Sequence, residues 1–139
     1  GSWNNDSEPI MSVSQLKELD PAVVELGLHS FEHRPYNSLS LELIQEDFKK
    51  CHDFISKNEL NVCNVLAYPY GNFPRKEPFK SLFFETLKNQ NIAYGLRIGN
   101  RLNRLPIKNN YELNRLDIKG DDSLFKFKLK LKLGKLSLF

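Results

Sequence analysis

The sequence predicts an α/β fold, with parallel strands separated by helices. Three observations carry that expectation. An amphipathic helical pattern runs from Ser40 through Ile55, an apolar run follows at Val62-Cys63-Asn64-Val65-Leu66-Ala67, and a second helical pattern leads into a further apolar run at Ile92-Ala93-Tyr94-Gly95-Leu96-Arg97-Ile98. Strands spaced by single helices imply parallel βαβ units. The chain has 139 residues, 40% apolar and 27% charged, which is the balance of one packed domain rather than a disordered segment. No apolar run approaches the roughly 20 residues that a membrane-spanning helix needs.

The elements follow in order. Ser12 or Ser14 can cap a short helix through Leu16 and Leu19, which Asp20-Pro21 ends. Val23, Val24 and Leu26 lead an extended segment into Gly27-Leu28-His29. After Arg34-Pro35-Tyr36-Asn37-Ser38, Ser40 caps the strongest helix: Leu41, Ile44, Phe48, Cys51 and Ile55 share one face, and Glu42, Glu46, Asp47, Lys49 and Lys50 fall largely elsewhere. Tyr68-Pro69-Tyr70-Gly71 closes the next strand with turn residues. A helix carrying Phe79, Leu82, Phe83 and Leu87 frays into Asn89-Gln90-Asn91, and Tyr111 to Ile118 is the last strand candidate.

The tail sets two signals against each other. Residues 125–133 alternate Phe or Leu with Lys, a strand period, yet Asp121-Asp122-Ser123 makes a helix start and Gly134 a helix stop. Charge is also uneven. Residues 1–96 hold 9 Lys/Arg against 13 Asp/Glu, and residues 97–139 hold 11 against 4. The basic third is a solvated face or an interface with an anionic membrane or polymer. No nucleic-acid-binding motif accompanies it, so no nucleic acid partner is expected. Cys51 and Cys63 form no CxxC pair and read as small hydrophobes in a reducing, cytoplasmic setting.

Two short segments could carry chemistry. His29 and His33 stand four apart in His29-Ser30-Phe31-Glu32-His33, straight after an apolar strand. Neutral imidazoles at that spacing can converge on one metal ion, and the C-terminal ends of parallel strands are where α/β folds build their sites. The alternative is a pair of surface or capping histidines. Tyr68-Pro69-Tyr70-Gly71 lies at the end of the neighbouring strand, as the wall of a sugar-binding cleft with a backbone N–H aimed at an oxyanion, or as an ordinary turn with packed tyrosines. His52, inside the long helix, reads as a surface histidine.

Together, Gly27-Leu28-His29-Ser30-Phe31-Glu32-His33, then Leu39-Ser40 with its helix, then Ala67-Tyr68-Pro69-Tyr70-Gly71 resemble the polysaccharide deacetylase family (the NodB-homology, carbohydrate esterase 4 group). The likeness runs from about Met11 to Arg115. It implies a partial or distorted (β/α) barrel whose opening strands are missing, with residues 1–139 as one domain fragment, 1–11 as an irregular lead-in and 121–139 as a basic C-terminal helix. The barrel pattern places a helix after the last strand. It further implies a divalent metal, commonly Zn2+, and hydrolysis of N-acetyl groups on amino-sugar polymers. His29 and His33 match the two ligand histidines, Tyr70 with Pro69 and Tyr68 the oxyanion turn, and Arg115 a supporting arginine on a late strand. In that chemistry the metal activates water and polarises the acetamide carbonyl.

Three departures follow from the same resemblance. The family's aspartate pair, which supplies the base and the third ligand, should precede the first histidine. Only 28 residues stand before His29, and Asp6, Glu8 and Asp20 match neither position. Ala67 occupies the place where many members carry an arginine, and the late Leu-x-x-His-Asp motif is missing. The expectation is therefore half a metal site that binds zinc weakly and does not hydrolyse substrate alone, with a second copy or a covering segment at the exposed strand edge. The alternative is a non-catalytic carbohydrate-binding or interaction module.

Overall fold

A computed structural model describes residues 10–134. Residues 1–9 of the expected lead-in, with Asp6 and Glu8, and the end of the tail at 135–139 lie outside the described residues. Eight elements follow one another: α1 (Val13–Lys17), β1 (Leu26–Leu28), α2 (Leu41–Lys57), β2 (Val62–Ala67), α3 (Phe79–Asn89), β3 (Tyr94–Ile98), β4 (Leu113–Arg115) and α4 (Leu124–Leu133). The four strands form one open sheet in the order β1-β2-β3-β4, every pair parallel. This is an α/β fold, consistent with part of a deacetylase-type barrel.

Local chemistry explains where the helices start. Ser12 accepts from the Gln15 backbone N–H while the Gln15 side chain accepts from the Ser12 N–H, a complete capping box for α1. Ser40 accepts from the Leu43 N–H and opens α2. On α2, Ile44, Phe48 and Cys51 are buried as their spacing demands, and Ile55 packs partly against them. Asp47 is buried too, at 2% exposure, which corrects its expected place on the polar side.

The core lies between the sheet and the two long helices. Leu28 pairs in register with Leu66, and both are buried against Tyr36, Phe48, Phe83 and Leu87. Burying each such side chain contributes about 1.5–3 kcal/mol. Tyr36 stacks on Phe48 with ring centroids 6.1 Å apart and touches Phe83 at 5.5 Å. Leu82 of α3 is 42% exposed, so the apolar face of that helix is narrower than expected.

One expectation needs correction after β3. The connection from β3 to β4 is a loop, as its Asn and Pro residues indicate, and it ends in a 3-10 turn at Asn110–Glu112. The strand expected over Tyr111 to Ile118 shrinks to Leu113–Arg115. Side chains hold that turn in place of strand pairing. The Tyr111 hydroxyl donates to the Ile92 carbonyl at 3.1 Å, and Glu112 pairs with Lys80 at 2.8 Å.

The Lys/Leu segment is helical. Ser123 accepts from the Lys126 N–H at 3.2 Å, and Gly134 ends the helix with φ of 79°. Lys126 and Lys130 both pair with Asp122, which stands just before the cap, and the Asp122–Lys126 pair has the i,i+4 spacing that a helical turn brings together.

Candidate functional site

The site is built at the C-terminal ends of β1 and β2. Leu28 is the last strand residue of β1, so the chain delivers His29 at the sheet edge beside the end of β2. His29 Nδ1 lies 2.6 Å from the Ala67 carbonyl oxygen. A carbonyl only accepts, so Nδ1 carries the proton and Nε2 of the neutral ring carries the lone pair. His33 Nε2 stands 3.0 Å from that Nε2 and, with the lone pair on His29, is the donor of the hydrogen bond between them; the rings lie edge to face at 4.8 Å. The two nitrogens point into one small region, and one ring already has its tautomer set for metal ligation.

The loop between them bends sharply. Ser30 has φ of 69° and His33 φ of 51°, both in the left-handed region that side chains disfavour. The His33 backbone N–H donates to the Ser30 hydroxyl at 2.8 Å, which closes the turn. Burial first, and the neighbouring His29 second, lower the pKa of His33. Both causes favour the neutral imidazole. Lys50 of α2 pairs with Glu32 at 2.9 Å, and this contact lowers the Glu32 pKa while raising that of Lys50.

The second wall is the turn after β2. Pro69 and Gly71 are buried in a 3-10 turn, with Tyr70 between them at φ 55° and ψ 13°. The Tyr70 ring is 59% exposed and lies edge to face against His33 at 4.7 Å. Tyr68 is placed differently from the cleft wall that the sequence suggested. It is fully buried, tilted on Phe73 at 5.1 Å, and its hydroxyl donates to the Tyr111 carbonyl at 2.8 Å. It shares a sheet face with Leu66, two residues before it, and that face is the core.

Arg115, at the end of β4, donates through Nη2 to the Tyr68 carbonyl at 3.0 Å. It braces the turn from below, and burial lowers its pKa. Its Nε is buried without a hydrogen-bond partner. His52 is exposed, with Nε2 3.0 Å from Gln90 Oε1, well apart from this cluster.

His29, His33 and Tyr70 thus come together, with Ala67, Pro69 and Arg115 behind them. Among the described residues no group of three or more His, Cys, Asp or Glu could hold a metal ion. The pair fits such an ion as two ligands of a larger set: the two Nε2 atoms converge, His29 is in the ligating tautomer, and a bound metal would take the place of the proton the two nitrogens share.

A sequence profile for polysaccharide deacetylases matches residues 1–80. The chain belongs to the polysaccharide deacetylase family. The matched stretch contains both histidines and the whole Tyr68–Gly71 turn, and it stops short of Arg115. Neither the comparison with curated proteins nor that with solved structures gave a match. Membership in the deacetylase family implies, in general terms, an acetylated polysaccharide as substrate.

Sequence reasoning missed Asp47. Its carboxylate accepts from the backbone N–H groups of Phe31 and Glu32 and from the Tyr36 hydroxyl. The signal was present: Ile44, Asp47 and Cys51 follow the three-and-four spacing of the buried face.

Proposed function

We propose that His29 and His33 are two ligands of a divalent metal, by expectation zinc, at a site that hydrolyses N-acetyl groups of an amino-sugar polymer. The observation that carries this reading is the convergence of the two Nε2 atoms, 3.0 Å apart, at the ends of adjacent parallel strands in a deacetylase-family chain. A bound divalent ion would supply Lewis-acid polarisation of the acetamide carbonyl and acidification of water.

The chain's own residues have distinct tasks. The Ala67 carbonyl holds the His29 proton on Nδ1 and so sets Nε2 as the coordinating nitrogen. The Tyr70 ring shields one side of His33 and offers an exposed aromatic face to a sugar ring. The Tyr70 backbone, held left-handed in the turn, would offer its N–H to the developing oxyanion. Arg115 fixes that turn through the Tyr68 carbonyl.

A base and a third ligand are still required, and in this reading two carboxylates from outside the described residues supply them. Residues 1–139 alone are therefore expected to bind zinc weakly and to release no acetate. Zinc calorimetry on wild type, His29→Ala and His33→Ala tests the site. Loss of binding in both variants supports the reading, and unchanged affinity ends it. Metal-dependent acetate release from N-acetylated oligosaccharides by the purified chain would contradict the expected inactivity.

The exposed Tyr70 also supports a second reading, a non-catalytic carbohydrate-binding module. Glycan binding that persists in chelator and is lost in Tyr70→Ala favours that reading over the first.

A further inference from the structure

We propose that Asp47 is the positioning residue of the histidine loop, holding His29 and His33 convergent through the backbone between them. The proposal rests on the reading of the pair as a metal site. Asp47 sits on α2 at 2% exposure, and no charged group that deeply buried is common without a specific task. Among the described residues its side-chain hydrogen bonds run to the segment that carries the histidines and just beyond. Oδ1 accepts from the Phe31 N–H at 3.2 Å and the Glu32 N–H at 2.9 Å. Oδ2 accepts from the Phe31 N–H at 3.1 Å and the Tyr36 hydroxyl at 3.3 Å.

The loop has reason to need such a clamp. Ser30 and His33, which flank the clamped residues, both hold positive φ, a conformation that persists only where the surroundings impose it. The carboxylate ties down the two N–H groups between those strained positions and makes no hydrogen bond to either imidazole. Tyr36 is wholly buried, and burial and the Asp47 charge raise its pKa far above the ordinary tyrosine value, so it remains a donor. Charge-assisted bonds of this kind are the strong ones. The loop is thereby referenced to the rigid helix α2 rather than left to its own five residues.

The experiment pairs zinc calorimetry with amide hydrogen exchange on the 139-residue chain. Asp47→Asn keeps the shape but replaces one acceptor oxygen by an NH2 group that faces a backbone N–H. The expected result is a zinc affinity about ten- to a hundredfold weaker than wild type. Ile44→Val, on the same buried face, is the comparison: it lowers thermal stability without touching the loop and should leave zinc affinity within about twofold. Equal losses in the two variants, or none in Asp47→Asn, overturn the proposal.

Exchange in the metal-free wild type reads the clamp without relying on any variant or on zinc. The Phe31 and Glu32 amides should be protected at least a hundredfold over unstructured rates, and free exchange at both overturns the proposal even if Asp47→Asn does not fold. Protection without any histidine-dependent zinc binding would instead remove the metal reading and leave Asp47 a loop clamp with no site to serve.

Discussion

Gly71 is the most demanding position in the Tyr68–Gly71 turn, and Gly71→Ala puts the turn's geometry at risk. Gly71 holds φ of +67°, and a Cβ built there would stand 2.4 Å from the Ile98 backbone nitrogen and 2.7 Å from its Cβ. A left-handed alanine costs about 1–2 kcal/mol. The overlap involves backbone, so no side chain can swing aside, and forced displacement of this kind costs about 1–3 kcal/mol. The sum is about 2–5 kcal/mol, a large share of the roughly 5–15 kcal/mol that holds a domain folded.

The simplest relief moves the turn away from the end of β3, which draws Tyr70 off His33 from its present 4.7 Å. Urea denaturation is the assay, with the midpoint lowered and the slope unchanged. Gly120→Ala is the control, because a Cβ there meets nothing within 4 Å. That variant should lie within about 0.5 kcal/mol of wild type or be slightly more stable. If Gly71→Ala also unfolds within about 0.5 kcal/mol of wild type, the steric argument for the turn is wrong.

The cysteines and the C-terminal helix supply two further expectations. Burial first, and the Asp47 charge second, push the Cys51 thiol up to about 12, and its side chain is hardly exposed. At pH 8 a small thiol reagent should therefore label the half-buried Cys63 well before Cys51, and equal rates would show that α2 is not packed as described. Asp122 is held well below the ordinary aspartate range by Lys126 and Lys130. A depressed folded pKa means that its contribution is complete above about pH 5 and is lost progressively as pH falls below the ordinary value of about 4. Far-UV circular dichroism should show α4 weakening over that acid range in wild type, with a flatter profile in Asp122→Asn; identical profiles would remove Asp122 from the account.

Much of the architecture was readable because local signals and burial agreed. Ser40 starts α2, Ile44, Phe48 and Cys51 share its buried face, and Val62 to Ala67 carries enough apolar residues to form an inner strand. The C-terminal segment shows why alternation alone misleads. Its Phe/Leu–Lys period suits a strand, but the Ser123 cap, the Gly134 stop and the Asp122 ion pairs all favour helix. The last strand was overestimated because Tyr111 and Glu112 resemble strand residues yet spend their side chains anchoring a 3-10 turn.

At the site, spacing located His29, His33 and Tyr70, since each sits one to five residues past a strand end. The partition of the tyrosines was less visible. Tyr68 continues the inward alternation of β2 and enters the core, whereas Tyr70 turns outward only because its backbone is left-handed. Asp47 escaped notice because a carboxylate on a core face is ordinarily discounted, and its partners are backbone groups that no side-chain pattern encodes.

The central claim is that His29 and His33 present their Nε2 atoms to one metal ion. Zinc titration followed by long-range proton–nitrogen spectra of the imidazoles tests it most directly. The account predicts that the Nε2 resonances of both His29 and His33 shift together, while His29 Nδ1 stays protonated on the Ala67 carbonyl and His52 does not respond. Zinc-dependent shifts confined to His52, or none in the pair at saturating zinc, would contradict it.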